Sequence, residues 1–226
     1  MSELDDAIIE GTPPAWARLT YRIVATLAML FAKAVFRIEI RGQERFPTSG
    51  GFVLAPVHRS NLDFMLAGLS CPRRVRWMAK HSIFKGGLID GFLLHGGAYP
   101  VKREGTDRRA FELTERLLAA GEPVVMFPEG RRREGSKVHN LLDGPAFVAA
   151  RQRVPIVPVG IGGSDSAMPI GRKVILPKKI VLIAGEPIYP DVPLEGRVPR
   201  SVVRDLTADL QNQLQRLYDD AGAAVR

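Results

Sequence analysis

The feature that most constrains this fold is a series of short, mostly apolar segments separated by stretches of helical period. Gly51 to Val57, Arg74 to Ala79, Ala98 to Lys102, Pro123 to Phe127, Pro155 to Ile161 and Lys179 to Ala184 each read as a strand. Between them lie helices. One begins at Leu62, capped by Ser60 or Asn61, runs towards Leu69 and is ended by Pro72. A second, Thr106 to Ala120, carries Ala110, Leu113, Leu117 and Leu118 at helical spacing and stops at Gly121. Pro145 to Arg153 is a third. Pro199 to Tyr218 is a fourth, with Val202, Leu206, Leu210, Leu214 and Leu217 on one side. Strands alternating with helices at this spacing imply an α/β fold: one layered domain with a mixed, largely parallel sheet flanked by helices. Smaller pieces fit around it. Arg37 to Arg41 alternates like a short strand, Gly42 to Gly51 is a loop, and Gly86 to His95 reads as a short helix under the site. Gly160-Ile161-Gly162-Gly163-Ser164 resembles a dinucleotide-binding turn, but Asp165 stands where the last glycine belongs, so it reads as a plain loop.

At 226 residues and 46% hydrophobic content, the chain can bury a core of its own. Its first ten residues are acidic and show no basic segment leading into an apolar run, so no secretory signal is visible. Pro13-Pro14 opens an N-terminal amphipathic helix, Trp16 to Phe36. Crossing a bilayer takes roughly 20 mostly apolar residues. Here Arg18, Arg22 and Lys33 interrupt the run and leave only Ile23 to Ala32 uncharged. The expectation is a helix lying in the membrane interface with its cations at headgroup level. Residues 1–36 therefore form an acidic tail and interfacial helix, and residues 37–226 the main domain. The net charge of +8 points to an anionic partner. Nucleic acid is not the expected one, because aromatic residues make up only 7% and no helix-turn-helix or RNA-binding signature occurs. Anionic membrane or phosphorylated small molecules remain. The single cysteine, Cys71, excludes an intramolecular disulfide and fits a reducing cytosolic setting.

The chemistry-bearing residues sit where strands end. His58 follows the Gly51–Val57 strand, and Asp63 lies five residues on, in Pro56-Val57-His58-Arg59-Ser60-Asn61-Leu62-Asp63. A carboxylate bonded to one ring nitrogen fixes the tautomer and leaves the other nitrogen free to accept a proton. After the Pro123–Phe127 strand comes Glu129-Gly130-Arg131-Arg132-Arg133. Gly130 lets backbone amides approach a ligand, arginine forks suit phosphate oxygens, and Glu129 either holds an arginine or accepts from a substrate hydroxyl. Tyr99-Pro100-Val101-Lys102-Arg103 and Trp77-Met78-Ala79-Lys80 also finish in cations. Ligands of open α/β sheets gather outside such strand ends. No Gly-x-Ser-x-Gly turn occurs, and Cys71 sits in an unremarkable Ser-Cys-Pro turn. His58 is thus expected to deprotonate a substrate hydroxyl directly. His81, His95 and His139 lack metal-ligand spacing, so no metal is expected. Basic clusters at Arg73-Arg74-Arg76, Arg108-Arg109 and Lys178-Lys179 are either lipid-facing or simply solvated.

These residues resemble the motifs of the lysophospholipid/glycerol-3-phosphate acyltransferases. The first motif, N-H-x4-D, matches Val57-His58 to Asp63, with Val in place of Asn. The second, a Lys followed after an apolar, glycine-containing segment by Arg, matches Lys80 to Arg103. The third, F-P-E-G-T-R, matches Phe127, Pro128, Glu129, Gly130 and Arg132, with Arg131 in place of Thr. The fourth, V-P-I-x-P-V, matches Val154 to Val159. Many relatives carry a Lys where this chain has Leu142. The resemblance implies that His58, oriented by Asp63, activates an acceptor hydroxyl towards the thioester of acyl-CoA or acyl carrier protein. It further implies that Lys80, Arg103, Glu129, Gly130, Arg131 and Arg132 bind the substrates, with no cofactor. The acceptor it implies is lysophosphatidic acid, with glycerol 3-phosphate or another lysophospholipid as the alternative. It places residues 37–226 as the acyltransferase domain, on the cytoplasmic face of the cell membrane. A catalytically silent lipid-binding protein is the contrasting class; such a protein has no use for a His–Asp pair.

Overall fold

The computed structural model describes residues 15–84, 90, 93–94, 96–101, 108–172, 174–193 and 196–226. Seven strands form one sheet: β1 (Glu39–Arg41), β2 (Val53–Pro56), β3 (Arg76–Lys80), β4 (Ala98–Val101), β5 (Val124–Val125), β6 (Ile156–Gly162) and β7 (Val181–Ala184). Their order is β1-β7-β6-β2-β5-β3-β4. All neighbours are parallel except β6 and β7, which run antiparallel. The mixed, largely parallel sheet expected from the sequence is therefore present. β2, β6 and β7 are buried at every residue, which explains why they read as unbroken apolar runs and not as alternating ones.

The helices are α1 (Ala15–Phe36), α2 (Asp63–Ser70), α3 (Arg108–Ala119), α4 (Gly144–Gln152), α5 (Ser164–Ala167) and α6 (Arg200–Val225). α3 buries Ala110, Leu113, Leu117 and Leu118, the stripe its periodicity marks. Gly121, at φ 82°, ends the turn that follows α3. α6 lies across β6 and β7, burying Val203, Leu206, Leu210, Leu214 and Ala221. α1 joins the domain through its last turns. Ala32 and Phe36 are fully buried in the main core, whereas Leu19, Ile23, Leu27, Leu30 and Phe31 are exposed. Most of the expected helix Gly86 to His95 lies outside the described residues.

Two differences from the sequence reading share one cause. β6 runs through Gly160 and one residue past the expected strand end at Ile161, so that Gly162 belongs to the strand and not to a loop, and α6 continues seven residues beyond Tyr218. A Cβ on Gly160 would lie 2.3 Å from the Leu217 carbonyl oxygen, and one on Gly162 would lie 2.4 Å from that of Ala221. The glycines are where the helix backbone meets the sheet, a role for strand glycine that spacing alone does not reveal. Ala221, Ala224 and Val225 then pack on Val181 and Ile183, which keeps the last turns helical. Only Gly163, at φ 85°, leaves the strand, and it leads into α5. Replacing Gly160 by Ala should cost about 3 kcal/mol or more, at the upper end of overpacking penalties, because backbone on both sides must move. Urea unfolding measures this directly. Gly171→Ala, with no atom near its Cβ, should cost only the strain of its φ of 84° and so distinguishes crowding from conformation.

Candidate active site

Local sequence builds the base. β2 ends at Pro56, and His58 follows in the six-residue connection, Val57 to Leu62, before α2 begins at Asp63. Asp63 is fully buried and its Oδ2 gathers three partners: the amide N–H groups of Arg59 and Ser60, at 2.5 and 2.6 Å, and Nδ1 of His58 at 3.1 Å. It thus closes the loop that carries the histidine as well as orienting the ring. With Nδ1–H donated to Asp63, Nε2 is left as the acceptor. The imidazole retains 19% exposure on its side chain. Phe127 stacks on it, ring centroids 4.0 Å apart at 27°, so the ring plane is held from a second strand. The Ser60 hydroxyl donates to the Met168 carbonyl and accepts from the Leu62 amide, which leaves Asp63 itself as the first helical residue.

Glu129 resolves between the two roles its sequence left open. Its side chain is fully buried, and Oε2 accepts from Nη1 of Arg59 at 2.6 Å and from the His58 amide at 3.0 Å. Oε1 accepts from the His139 amide at 3.2 Å. The arginine it holds is Arg59, a residue that sequence reasoning did not single out. Arg59 is 1% exposed, donates also to the carbonyls of His58 and Lys137, and lies over the Tyr218 ring at 4.8 Å. Both carboxylate oxygens are therefore engaged away from solvent, and Glu129 braces the segment that carries His58.

The arginines follow on the outside of this brace. Gly130, at φ 67°, turns the chain; a Cβ there would also meet Leu142 at 2.5 Å. Arg131 is exposed and Arg132 half-buried. The Arg133 amide donates to the His58 carbonyl at 2.8 Å, fastening the arginine loop to the base, and the Nε of Arg133 is buried without a hydrogen-bond partner. A buried, unpaired guanidinium donor in this loop suits an anion, as expected of the arginines that follow Gly130. Lys80 is the last residue of β3, two strands from β2. Arg103 lies outside the described residues. The cluster Arg73-Arg74-Arg76 is not a lipid face: Arg73 donates to the carbonyls of Pro47, Gly50 and Gly121, Arg74 to that of Leu94, and Arg76 is buried near Glu122. These contacts tie together loops at the opposite end of the sheet.

A model of the acyltransferase family matches residues 37–162, more than half of the chain, including His58, Arg59, Asp63, Glu129 and the arginine loop. The chain belongs to the acyltransferase family. It is similar to the 1-acyl-sn-glycerol-3-phosphate acyltransferase of Bacillus subtilis, 31% identical over 153 residues, covering 67% of this chain and 74% of the relative. It is likewise similar to the chloroplastic enzyme LPAT1 of that name from Arabidopsis thaliana, 31% identical over 145 residues, 62% of this chain and 40% of the relative. An uncharacterized protein of Mycobacterium tuberculosis is 29% identical over 191 residues, 78% of this chain and 51% of the relative. The chain thus covers about three-quarters of the first of these relatives and about half or less of the other two. In fold it matches the crystal structure of the 1-acyl-sn-glycerophosphate acyltransferase PlsC from Thermotoga maritima with a TM-score of 0.74, at 20% identity, over 90% of this chain and 80% of that one.

For this acyltransferase two consequences follow from the geometry. Glu129→Ala leaves the Arg59 guanidinium buried and unpaired, and should destabilise the fold by roughly 3–5 kcal/mol, read by chemical denaturation. The paired change Arg59→Met with Glu129→Leu should cost less than the sum of the single changes, because no charge is stranded. The second concerns Cys71, whose burial pushes the thiol up to about 11. At pH 8 that leaves on the order of one thiolate in a thousand, so native protein should resist alkylation and keep its activity under iodoacetamide. Rapid modification of Cys71 without unfolding would contradict this.

Proposed function

We propose that this acyltransferase moves a fatty acyl chain from acyl-CoA, or from acyl carrier protein, to the free hydroxyl of lysophosphatidic acid. His58 Nε2 takes the hydroxyl proton as the oxygen attacks the thioester carbon. The tetrahedral adduct collapses, the C–S bond breaks, and the proton passes from His58 to the departing thiolate. The products are phosphatidic acid and free thiol. Asp63 holds the ring in the tautomer that accepts at Nε2 and stabilises the imidazolium while it exists. Arg131, Arg132 and Arg133 meet the acceptor phosphate, with Gly130 shaping the turn; Lys80 and Arg103 serve the same anionic groups. Glu129 acts through Arg59 and His58.

The observation that carries this reading is the His58–Asp63 hydrogen bond with the arginine loop fastened to the histidine's own carbonyl. It makes one group of a base and an anion site, which is what acylating a phosphate-bearing alcohol needs. The similarity to enzymes named for 1-acyl-sn-glycerol 3-phosphate supports the acceptor. Leu142, 58% exposed beside Gly130 where many relatives carry a lysine, removes one cation from that end of the loop, so glycerol 3-phosphate or another lysophospholipid stands as the alternative acceptor.

We place residues 1–36 as the part that meets the membrane and residues 37–226 as the acyltransferase domain, working on the cytoplasmic face of the cell membrane. Among the described residues no helix is long and apolar enough to cross a bilayer. α1 instead presents Leu19, Ile23, Leu27, Leu30 and Phe31 to solvent along one side, as an interfacial helix does. β1 starts alongside the first residue of β7 and the last of β6, so α1 enters the domain at the same end of the sheet as His58. Membrane contact there would bring lipid acceptor to the base.

The test is acyl transfer from palmitoyl-CoA to lysophosphatidic acid, glycerol 3-phosphate and other lysophospholipids. His58→Ala should lower turnover by ~10²–10⁴-fold without unfolding the protein. Wild-type transfer to none of these acceptors would overturn the reading. For the membrane, Ile23→Asp with Leu27→Asp should weaken co-sedimentation with anionic vesicles; unchanged binding would place the contact elsewhere.

A further inference from the structure

The arginine loop is held from a direction that none of the motifs covers. From Gly135 to Asp143 the chain is laid antiparallel along α6, and one polar stripe of that helix bonds it at four successive points. The Tyr218 hydroxyl donates to the Gly135 carbonyl at 3.3 Å. Gln215 uses both ends of its amide: Nε2 donates to the Ser136 carbonyl at 3.1 Å and Oε1 accepts from the Val138 amide at 2.8 Å. Oε1 of Gln211 accepts from the Leu141 amide at 3.3 Å. The Thr207 hydroxyl donates to Oδ1 of Asp143 at 2.9 Å. Positions 207, 211, 215 and 218 follow one another at i+4, i+4 and i+3, the spacing of a single helix face. The loop amides at 138 and 141 are irregular backbone with no strand to pair with, and a half-buried donor of this kind needs a partner. Here the partners are glutamines of α6.

We propose that this stripe, and Gln215 above all, is a positioning device for the acceptor: it sets the conformation of the arginine loop and so the affinity for the phosphate of the acceptor. The proposal rests on the acyl-acceptor reading given above, and the stripe itself lies outside residues 37–162, the part that the family model matches. The loop's near end is already fixed to the base by the Arg133 amide on the His58 carbonyl and by Glu129 on the His139 amide. α6 fixes the far end. With both ends held, the arginines present one arrangement of donors and lose less freedom on binding an anion. Gln215, Gln211 and Thr207 bond the loop itself, and the stripe meets the His58 segment only through Tyr218 under the Arg59 guanidinium, so the device is expected to act on acceptor binding more than on proton transfer.

The decisive comparison is Gln215→Ala, Gln215→Glu and, as a control on the exposed side of α6, Asn212→Ala. Gln215→Ala should raise KM for lysophosphatidic acid about tenfold while KM for palmitoyl-CoA and the thermal midpoint stay close to wild type. Gln215→Glu keeps the acceptor for Val138 but loses the donor to Ser136, and should fall between the two; Asn212→Ala should behave as wild type. Amide hydrogen exchange, read residue by residue without substrate, should speed up at Val138 and Leu141 in Gln215→Ala. Unchanged exchange at Val138 would overturn the clamp itself, whatever the substrate. Faster exchange with an unchanged acceptor KM, or with acceptor KM, donor KM and kcat all shifted together, would overturn its role in acceptor positioning. A wild type that acylates none of the acceptors condemns the proposed function, and the exchange experiment still decides the clamp.

Discussion

The site depends on one buried ion pair, Arg59 with Glu129, which joins two loops 70 residues apart in sequence. Removing two such charges from water costs several kcal/mol each, and attraction recovers that only where the remaining donors and acceptors are also met. Here most are. Glu129 takes two backbone amides besides the guanidinium, and Arg59 gives to two carbonyls and lies over an aromatic face. The pair is a poor way to stabilise a core and a good way to fix a geometry. Because Glu129 bonds the His58 amide while Arg59 bonds the His58 carbonyl, the backbone of the base is gripped on both sides by the same pair.

Sheet order explains why that pair can form. β2 and β5 are neighbours, so the segments leaving their carboxyl ends emerge side by side, and His58 and Phe127 meet ring to ring. Strand ends in an open α/β sheet are where ligands collect, but the ends are not equivalent. β3 lies one strand further out and β4 at the edge. Residues leaving β2 and β5 therefore build the His58 segment and the ion pair that braces it, at the middle of the sheet and not at its edge.

Much of this was legible in the sequence, and the parts that were not share a physical character. The strands and the stripes of α3 and α6 were readable because burial writes a period into the chain. His58 and Asp63 were readable because the two lie five residues apart, within reach of each other across one loop. Glu129 was singled out for the right neighbourhood but not for its partner: a buried pair across 70 residues has no local signature, and Arg59 reads as one more cation in a basic protein. The glycines Gly160 and Gly162 suggested a turn at the strand's end because their reason, the backbone of α6, lies some 60 residues on. Arg73, Arg74 and Arg76 looked like a surface cluster because a sequence does not reveal which carbonyls a loop leaves unpaired.

Those glycines connect the fold to the chemistry in a way that neither does alone. Gln211, Gln215 and Tyr218 reach the arginine loop only because α6 lies hard against β6, with the Leu217 carbonyl 2.3 Å from where a Gly160 Cβ would stand. Restoring ordinary contact for a side chain there means lifting the helix by about 1 Å, and a hydrogen bond that starts near 3 Å does not survive that. The Val138–Gln215 and Tyr218–Gly135 bonds, at 2.8 and 3.3 Å, would stretch first, since both residues flank Leu217 on the helix. Close packing of helix on sheet, ordinarily a matter of stability, here sets the reach of the side chains that shape the anion loop. The same two glycines thus govern both how tightly the domain closes and how well the loop beside His58 is held.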